Sequence, residues 1–455
     1  MHKIYLTLFS GTLASSLSAQ QPNIVFIMTD QQTAQAMSCV DDTYVNTPNM
    51  DRLAKDGIRF SNAYCAAPLS GPSRFATFTG VPPGSERMLE NHKPFPDKLK
   101  GKSLGNMVVA AGYECVYAGK WHIPTASLPN DNQDFGFRSI HDHNDYGLAE
   151  SCVDFLKQKH EKPFFLVASF DNPHNICEYA RHQNLPFAEI AEPDLDECPN
   201  LPVNFSPAPY EAEIIRLEQQ VHFPTYPVID YSPDDWRRYL NAYYRLVELV
   251  DIEIGKIIDA LIELNLYDDA VVIFTSDHGD GAAANKWNQK SALFEEIVNV
   301  PLIIKAPDLY DKNIDKLQLV NTGLDIFPTI CDYASASVPE HCKGKSFRQL
   351  VEKETDKELH DFIVTETQFD KSPTRGWMVR TPQYKYVLYD KGKYREQLFD
   401  ISNDRIERRN LAIERQFTEI LDQHRQLLNI WIEDNGIVTS GREITKPVLQ
   451  KEYKH

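Results

Sequence analysis

Three short apolar runs each lead into side chains that could bind a metal or move a proton. Asp30 and Gln31 follow NIVFIMT, Asp277 and His278 follow AVVIFTS, and His174 follows PFFLVASF by way of DNP. Two carboxylates, an amide and an imidazole at the ends of buried runs suit a divalent cation, and oxygen donors favour calcium or magnesium over a softer metal. An aspartate at a strand end also caps helices, so either pair alone fits a structural role equally well. His174 alone also fits a loop histidine in a turn. In GKWHI, Lys120 and His122 flank Trp121; if this segment is extended, both point to one face and form an anion site or a proton-transfer pair. Lys290, in NKWNQKSALFEEIVNVP, is a cation just before a helix-to-strand passage, where a solvated lysine is the ordinary case. The stretch SGPSRFATFTG is more specific: Pro72 opens a helix, Ser70 stands at its positive end, and Arg74 lies four residues on along the same side. A hydroxyl there suits a nucleophile directed at an anionic ester, or simply a serine cap.

The elements that must position these groups are legible in the pattern. Continuous apolar runs at 23–28, 114–119, 163–170, 270–274 and 301–306 alternate with helical spacing, as in PNMDRLAKDG (48–57) and the long stretch 238–264. Buried strands alternating with helices predict an α/β fold: a large, mixed, mostly parallel β-sheet sandwiched by helices, with its chemistry at the carboxyl ends of the strands. Residues 175–235 are rich in proline and acidic residues and read as a long, mostly irregular excursion that could select substrate. From about residue 360, shorter strands with turn signals such as DKGK (390–393) predict a smaller antiparallel sheet, followed by a helix over about 413–433. The expected organisation is therefore a segment 1–19, a catalytic domain 20–359 and a C-terminal subdomain 360–455.

Taken together, these residues resemble the type I sulfatases of the alkaline-phosphatase superfamily. SGPSRFATFTG is similar to the sulfatase signature, matching at Ser70, Pro72, Ser73, Arg74, Thr79 and Gly80. NIVFIMTDQ, TPNMDRLAKDGIRFSNAY, GKWHI, NPH, VIFTSDHGD, DIFPTI and LFDISNDRIERRNLA follow in family order, so the likeness spans about residues 22 to 412. The resemblance implies that a maturation enzyme converts Ser70 to formylglycine, the serine-type route, and that Asp30, Gln31, Asp277, His278 and the matured Ser70 ligate Ca2+, with Mg2+ the lesser alternative. It further implies Arg74, Lys120, His122, His174 and Lys290 as the catalytic set, with Lys120, His174 and Lys290 also contacting the sulfate. Many family members carry Asp where this chain has Gln31 and Asn where it has His278. Both variants also occur in phosphonate monoester hydrolases, so a phosphodiesterase or phosphonate hydrolase is the alternative enzyme, and a non-catalytic sulfated-glycan binder the alternative outside enzymology. His92, His141, His143, Arg380 and the excursion are the sugar-contact candidates, each equally a hydrogen-bonded loop feature.

Composition narrows the class. A net charge of −18 over 455 residues argues against a nucleic-acid partner, and a basic pocket in so acidic a protein favours a small sulfated saccharide over a long polyanion. No apolar stretch is long enough to span a bilayer. The N-terminal layout of Lys3, an apolar stretch and small residues up to Ala19 reads as a signal for export to the periplasm or beyond, without a lipid anchor. Eight cysteines are too sparse for a disulfide scaffold and lack zinc spacing; Cys331 with Cys342, or Cys177 with Cys198, are the nearest pairs.

Overall fold

A computed structural model of the protein describes residues 21–40, 44–125, 127–128, 134–222, 227–369 and 372–439; the expected export segment and the last residues of the chain lie outside these. The strands are β1 (Ile24–Asp30), β2 (Ile58–Phe60), β3 (Ala63–Tyr64), β4 (Glu114–Gly119), β5 (Arg138–His141), β6 (Phe164–Pro173), β7 (Val271–Ser276), β8 (Leu302–Lys305), β9 (Ile314–Lys316), β10 (Val320–Asn321), β11 (Ile363–Gln368), β12 (Arg375–Arg380), β13 (Tyr384–Tyr389) and β14 (Glu396–Asp400). The main sheet has eight strands in the order β5-β4-β6-β1-β7-β8-β2-β9. β8 alone is antiparallel to both its neighbours, so β4, β6, β1 and β7 stand side by side with their carboxyl ends together.

Both faces of this sheet are covered, which is why β1 and β7 are buried at every position. Val25, Ile27, Val116, Leu166 and Val272 point to one side, against α1 (Pro48–Asp56), α4 (Leu148–Leu156), α5 (Ile176–Ala180) and α7 (Pro233–Glu263). Their neighbours Ile24, Phe26, Met28, Val167 and Ile273 point to the other, against α2 (Ser70–Thr79), α3 (Leu104–Ala110), α9 (Thr322–Tyr333) and α10 (Arg348–Glu352). The period of two in the strand thus divides the core into two layers. α7 begins where the sequence provides a capping box: the Ser232 hydroxyl accepts from the Asp235 backbone, Asp235 accepts in return, and Pro233 occupies the first turn. α6 (Glu213–Val221) and the short α8 (Glu295–Val298) share a buried layer with one face of the small sheet, through Ile214, Ile215, Ile297 and Val298.

The four strands β11 to β14 form a separate antiparallel sheet in sequence order. Trp377, Val379, Tyr386 and Leu388 face α11 (Thr418–Asp434), while Met378, Val387 and Tyr389 face the large domain through Trp287, Leu293 and Ile215. Among the described residues no helix is long and apolar enough to cross a membrane.

The excursion over 175–235 is mostly irregular, as expected: among the described residues α5, a single 3-10 turn, α6 and the start of α7 are its regular elements. The structure departs from expectation in two places. The last helix starts at Thr418 rather than near 413, since 411–417 are taken up by two short turns held by the Asn410 side chain and backbone caps. GKWHI is not extended: Gly119 and His122 have φ of +96° and +60°, so strand alternation does not set the directions of Lys120 and His122. All eight cysteines are free thiols.

Candidate active site

Neighbouring strands deliver the site. Asp30 ends β1, Asp277 and His278 follow β7, Lys120 follows β4, and Asp171 lies in the last residues of β6 ahead of His174. α2 supplies the remaining two groups. Its first residue, Ser70, lies against the Asp30–His278 edge, and every residue of this helix is buried between the sheet and α9. Gly80 ends α2 in the left-handed conformation, φ +68°, with its N–H bonded to Ala76.

The two carboxylates are oriented alike. Each turns Oδ1 toward His278 Nε2, both at 3.7 Å, and Oδ2 toward Arg74, at 3.3 Å from Asp30 and 2.8 Å from Asp277. The Ser70 hydroxyl sits at this edge, 3.0 Å from His278 Nε2 and 3.2 Å from Asp30 Oδ1. Arg74 is fully buried, and its Nη1 also donates to the Lys120 carbonyl and the Ser169 hydroxyl, both at 2.7 Å. The Lys120 ammonium bridges Asp30 Oδ2 at 2.7 Å and Asp171 Oδ1 at 2.6 Å.

Burial and charge set the protonation states. Burial alone would raise the Asp30 carboxyl, but Lys120, His174, Lys290 and Arg74 hold it well below the ordinary range. Asp277 goes the other way, to about 7, through burial and the nearby Asp30 charge. Burial keeps His278 neutral, at about 3, with Lys290 adding to the effect. His122 and His174 are likewise pushed well below the usual imidazole range by burial and then by Lys120. Arg74 is held charged by Asp277 and Asp30 against its burial.

This donor set fits a divalent cation. Asp30, Asp277 and His278 present ligand atoms within 4.8 Å of one another, and all three are buried. His278 Nδ1 lies 2.9 Å from the Gly279 carbonyl, which assigns that nitrogen the proton and leaves the Nε2 lone pair facing the carboxylates. The Asp30 charge facing Asp277 is, after burial, part of what raises its carboxyl.

The remaining residues are less uniform. The Gln31 amide Nε2 donates to Asp280 at 2.8 Å and the amide lies against Cys177, and the residue has a φ of +74° just after β1. His143 Nε2 reaches Asp171 at 3.1 Å, and the ring of His92 packs on that of His122 at 5.1 Å, so both stand beside the site. Lys290 acts on Asp30, His122, His174 and His278 through its charge. His141 is committed elsewhere, with its two ring nitrogens on Ser151 and the Asn144 carbonyl. Arg380 is a correction: it is 2% exposed and bonded to the Tyr64 hydroxyl under the small sheet, so no sugar reaches it. Sequence reasoning missed Asp171, Ser169 and Asp280. Asp171 carried the same signal as Asp30, an aspartate ending a buried run, and was overlooked beside His174. Asp280 is fully buried and pushed to about 6, and it accepts from Gln31, Tyr239, Ala282 and Gln289.

A mixed, mostly parallel sheet between helices, with metal-ligand candidates at its carboxyl edge and a small antiparallel sheet beyond, is the alkaline-phosphatase-like fold. Residues 22–336 match the sulfatase family and 284–433 match the N-sulphoglucosamine sulphohydrolase C-terminal family. A Delta 4,5-hexuronate-2-O-sulfatase of Bacteroides thetaiotaomicron is 30% identical over 92% of this chain and 90% of its own. The structure of a 2-O GAG sulfatase superposes with a TM-score of 0.81 at 27% identity, covering 96% of each chain. A phosphonate monoester hydrolase of Agrobacterium radiobacter shares the fold at 21% identity, with a TM-score of 0.72 over 91% of this chain and 96% of its own. The chain belongs to the sulfatase family and is a sulfuric ester hydrolase.

Proposed function

We propose that the protein is an exported sulfatase that removes a sulfate ester from a small sulfated saccharide, and that the sugar is a uronate or hexosamine of the glycosaminoglycan type. The observation that carries this reading is the packing of the Ser70 hydroxyl against Asp30 and His278, with Arg74 and Lys120 close by. The likeness to a hexuronate 2-O-sulfatase over nearly the whole chain supports the substrate class. Residues 1–19 would direct export.

Asp30, Asp277 and His278, joined by the Gln31 amide oxygen while its Nε2 is held by Asp280, would hold a calcium or magnesium ion, whose charge would polarise the nucleophile and the sulfate. A maturation enzyme would convert Ser70 to formylglycine, whose hydrate offers one oxygen to attack sulfur and a second that lets sulfate leave. The protein's own residues do the rest. Arg74, held by both carboxylates, orients the reacting oxygen from the side opposite His278. Asp277, poised near neutrality, accepts its proton. Lys120 and Lys290 gather the negative charge spread over the sulfate oxygens. Burial and the charges of Lys120 and Lys290 keep His174 neutral, and it gains a proton when the dianionic transition state approaches; it then passes that proton to the departing sugar oxygen. His122 takes the proton from the second hydroxyl as sulfate leaves.

The test joins intact-peptide mass spectrometry across residue 70 with sulfate release. Protein co-produced with an anaerobic maturase is expected to lose two hydrogens at Ser70 and to release sulfate from 2-O-sulfated unsaturated hexuronate or 6-O-sulfated hexosamine, over the matching phosphate esters. Matured protein that cleaves phosphate esters faster would establish the phosphonate-hydrolase-like alternative, and matured protein that binds sulfated sugar without turnover would leave a binding protein.

A further inference from the structure

Asp171 is nearly as buried as the metal-ligand candidates and is held from every side. Its Oδ1 accepts the Lys120 ammonium at 2.6 Å and His143 Nε2 at 3.1 Å, and its Oδ2 accepts Asn175 Nδ2 at 3.1 Å. Its backbone N–H donates to Asp145 Oδ1 at 2.7 Å, and the same carboxyl group takes the Asn172 N–H on Oδ2 at 2.8 Å. Asp171 is therefore clamped in place by a second carboxyl below it. Lys120, in turn, has its backbone pinned: its N–H reaches the Ser169 carbonyl at 2.9 Å and its own carbonyl accepts Arg74. Only the Lys120 side chain is left to choose between Asp30 and Asp171, and it touches both.

That choice bears on the metal. Asp30 is the candidate ligand at which an ammonium and a divalent cation compete, since charges of the same sign so close together cost free energy in a buried site. We propose that Asp171 is a positioning residue that draws the Lys120 ammonium off Asp30, leaving that carboxylate available to the metal while keeping Lys120 at the site as a cation for the sulfate. The inference rests on the metal-dependent sulfatase reading above and assigns to it a carboxylate that neither ligates nor reacts. Asp171 stays ionised despite its burial because the Lys120 ammonium and the hydrogen bond with His143 favour the charge.

Calcium binding to the unmatured protein tests this without turnover, by calorimetry and by the Ca2+-induced rise in melting temperature. Asp171→Asn keeps the shape and removes the charge, and it is expected to weaken Ca2+ binding about tenfold, the low end for outer partners of metal ligands. Lys120→Gln removes the competitor and is expected to tighten Ca2+ binding, a result that does not depend on whether Asp171→Asn folds. In the Lys120→Gln background, Asp171→Asn should cost less than about threefold, because coupled residues are not additive. An equal loss in both backgrounds, or Ca2+ binding weakened by Lys120→Gln, would overturn the proposal. Wild-type protein that binds no Ca2+ would overturn it together with the metal reading, whereas Ca2+ binding with no sulfate release by matured protein would sink the sulfatase reading alone.

Discussion

Replacing Arg74 with methionine removes the one cation that both metal-facing carboxylates share. The side chain is fully buried and similar in volume to methionine, so the loss is electrostatic rather than a cavity. Breaking a buried ion pair from one side costs about 3–5 kcal/mol, because a charge is left in low dielectric without a partner. The hydrogen bonds to the Lys120 carbonyl and the Ser169 hydroxyl add about 1 kcal/mol each. The expected loss is therefore about 5–7 kcal/mol, a large part of the roughly 5–15 kcal/mol that holds a domain together. Asp277 then loses the guanidinium and Asp30 keeps only Lys120 as a contacting cation, so Ca2+ should bind Arg74→Met more tightly than wild type and stabilise it more. At a hundred times its dissociation constant the ion returns about 2.7 kcal/mol. Urea unfolding followed by tryptophan fluorescence, in EDTA and in Ca2+, reads both quantities. A variant within about 1 kcal/mol of wild type in EDTA, or one whose Ca2+ stabilisation is smaller than that of wild type, would refute this account of how the two carboxylates are held.

Ser70→Ala should abolish sulfate release from matured preparations while changing unfolding free energy by only about 1 kcal/mol, the worth of the hydroxyl's contacts to His278 and Asp30. His278→Ala removes an imidazole ligand and should raise the Ca2+ concentration needed for half-maximal stabilisation by at least about tenfold, measured by thermal shift. Glu366, which accepts from the Gly84 N–H, is pushed to about 7 by burial. The folded protein therefore keeps a proton there that the unfolded chain releases near 4.5, and stability falls as pH rises through that window. At about 1.4 kcal/mol per unit, this group contributes a decline of about 3 kcal/mol, which Glu366→Gln should remove from a pH series of urea midpoints. An unchanged slope in the variant would show that Glu366 ionises normally in the fold.

The alternation of apolar runs and helical stretches told which segments are strands, and β1, β4, β6 and β7 lie where the runs stand. A strand needs only local chemistry to be recognised, since its residues must suit a surface covered on both faces. The Pro72 start of α2 was legible for the same reason: a helix start is settled within one turn of chain. The excursion was legible as mostly irregular from its prolines, whereas the short α6 within it was not, because that helix is held by its buried face against the small sheet. Arg380 read as a surface contact because type alone cannot distinguish a solvated arginine from one bonded to Tyr64 beneath a sheet.

The amino-acid sequence by itself determined which side chains end the buried strands and which serine begins a buried helix, because both follow from patterns within a few residues. Only the tertiary structure decided that β4, β6, β1 and β7 are neighbours in that order, and hence that Lys120, Asp171, Asp30 and Asp277 meet. It also decided the direction of Gln31, the approach of His122 through a left-handed backbone, and the part played by Asp171. Those features depend on which groups compete for the same proton or cation across the sheet, and such competition exists only once segments far apart in the chain are packed together.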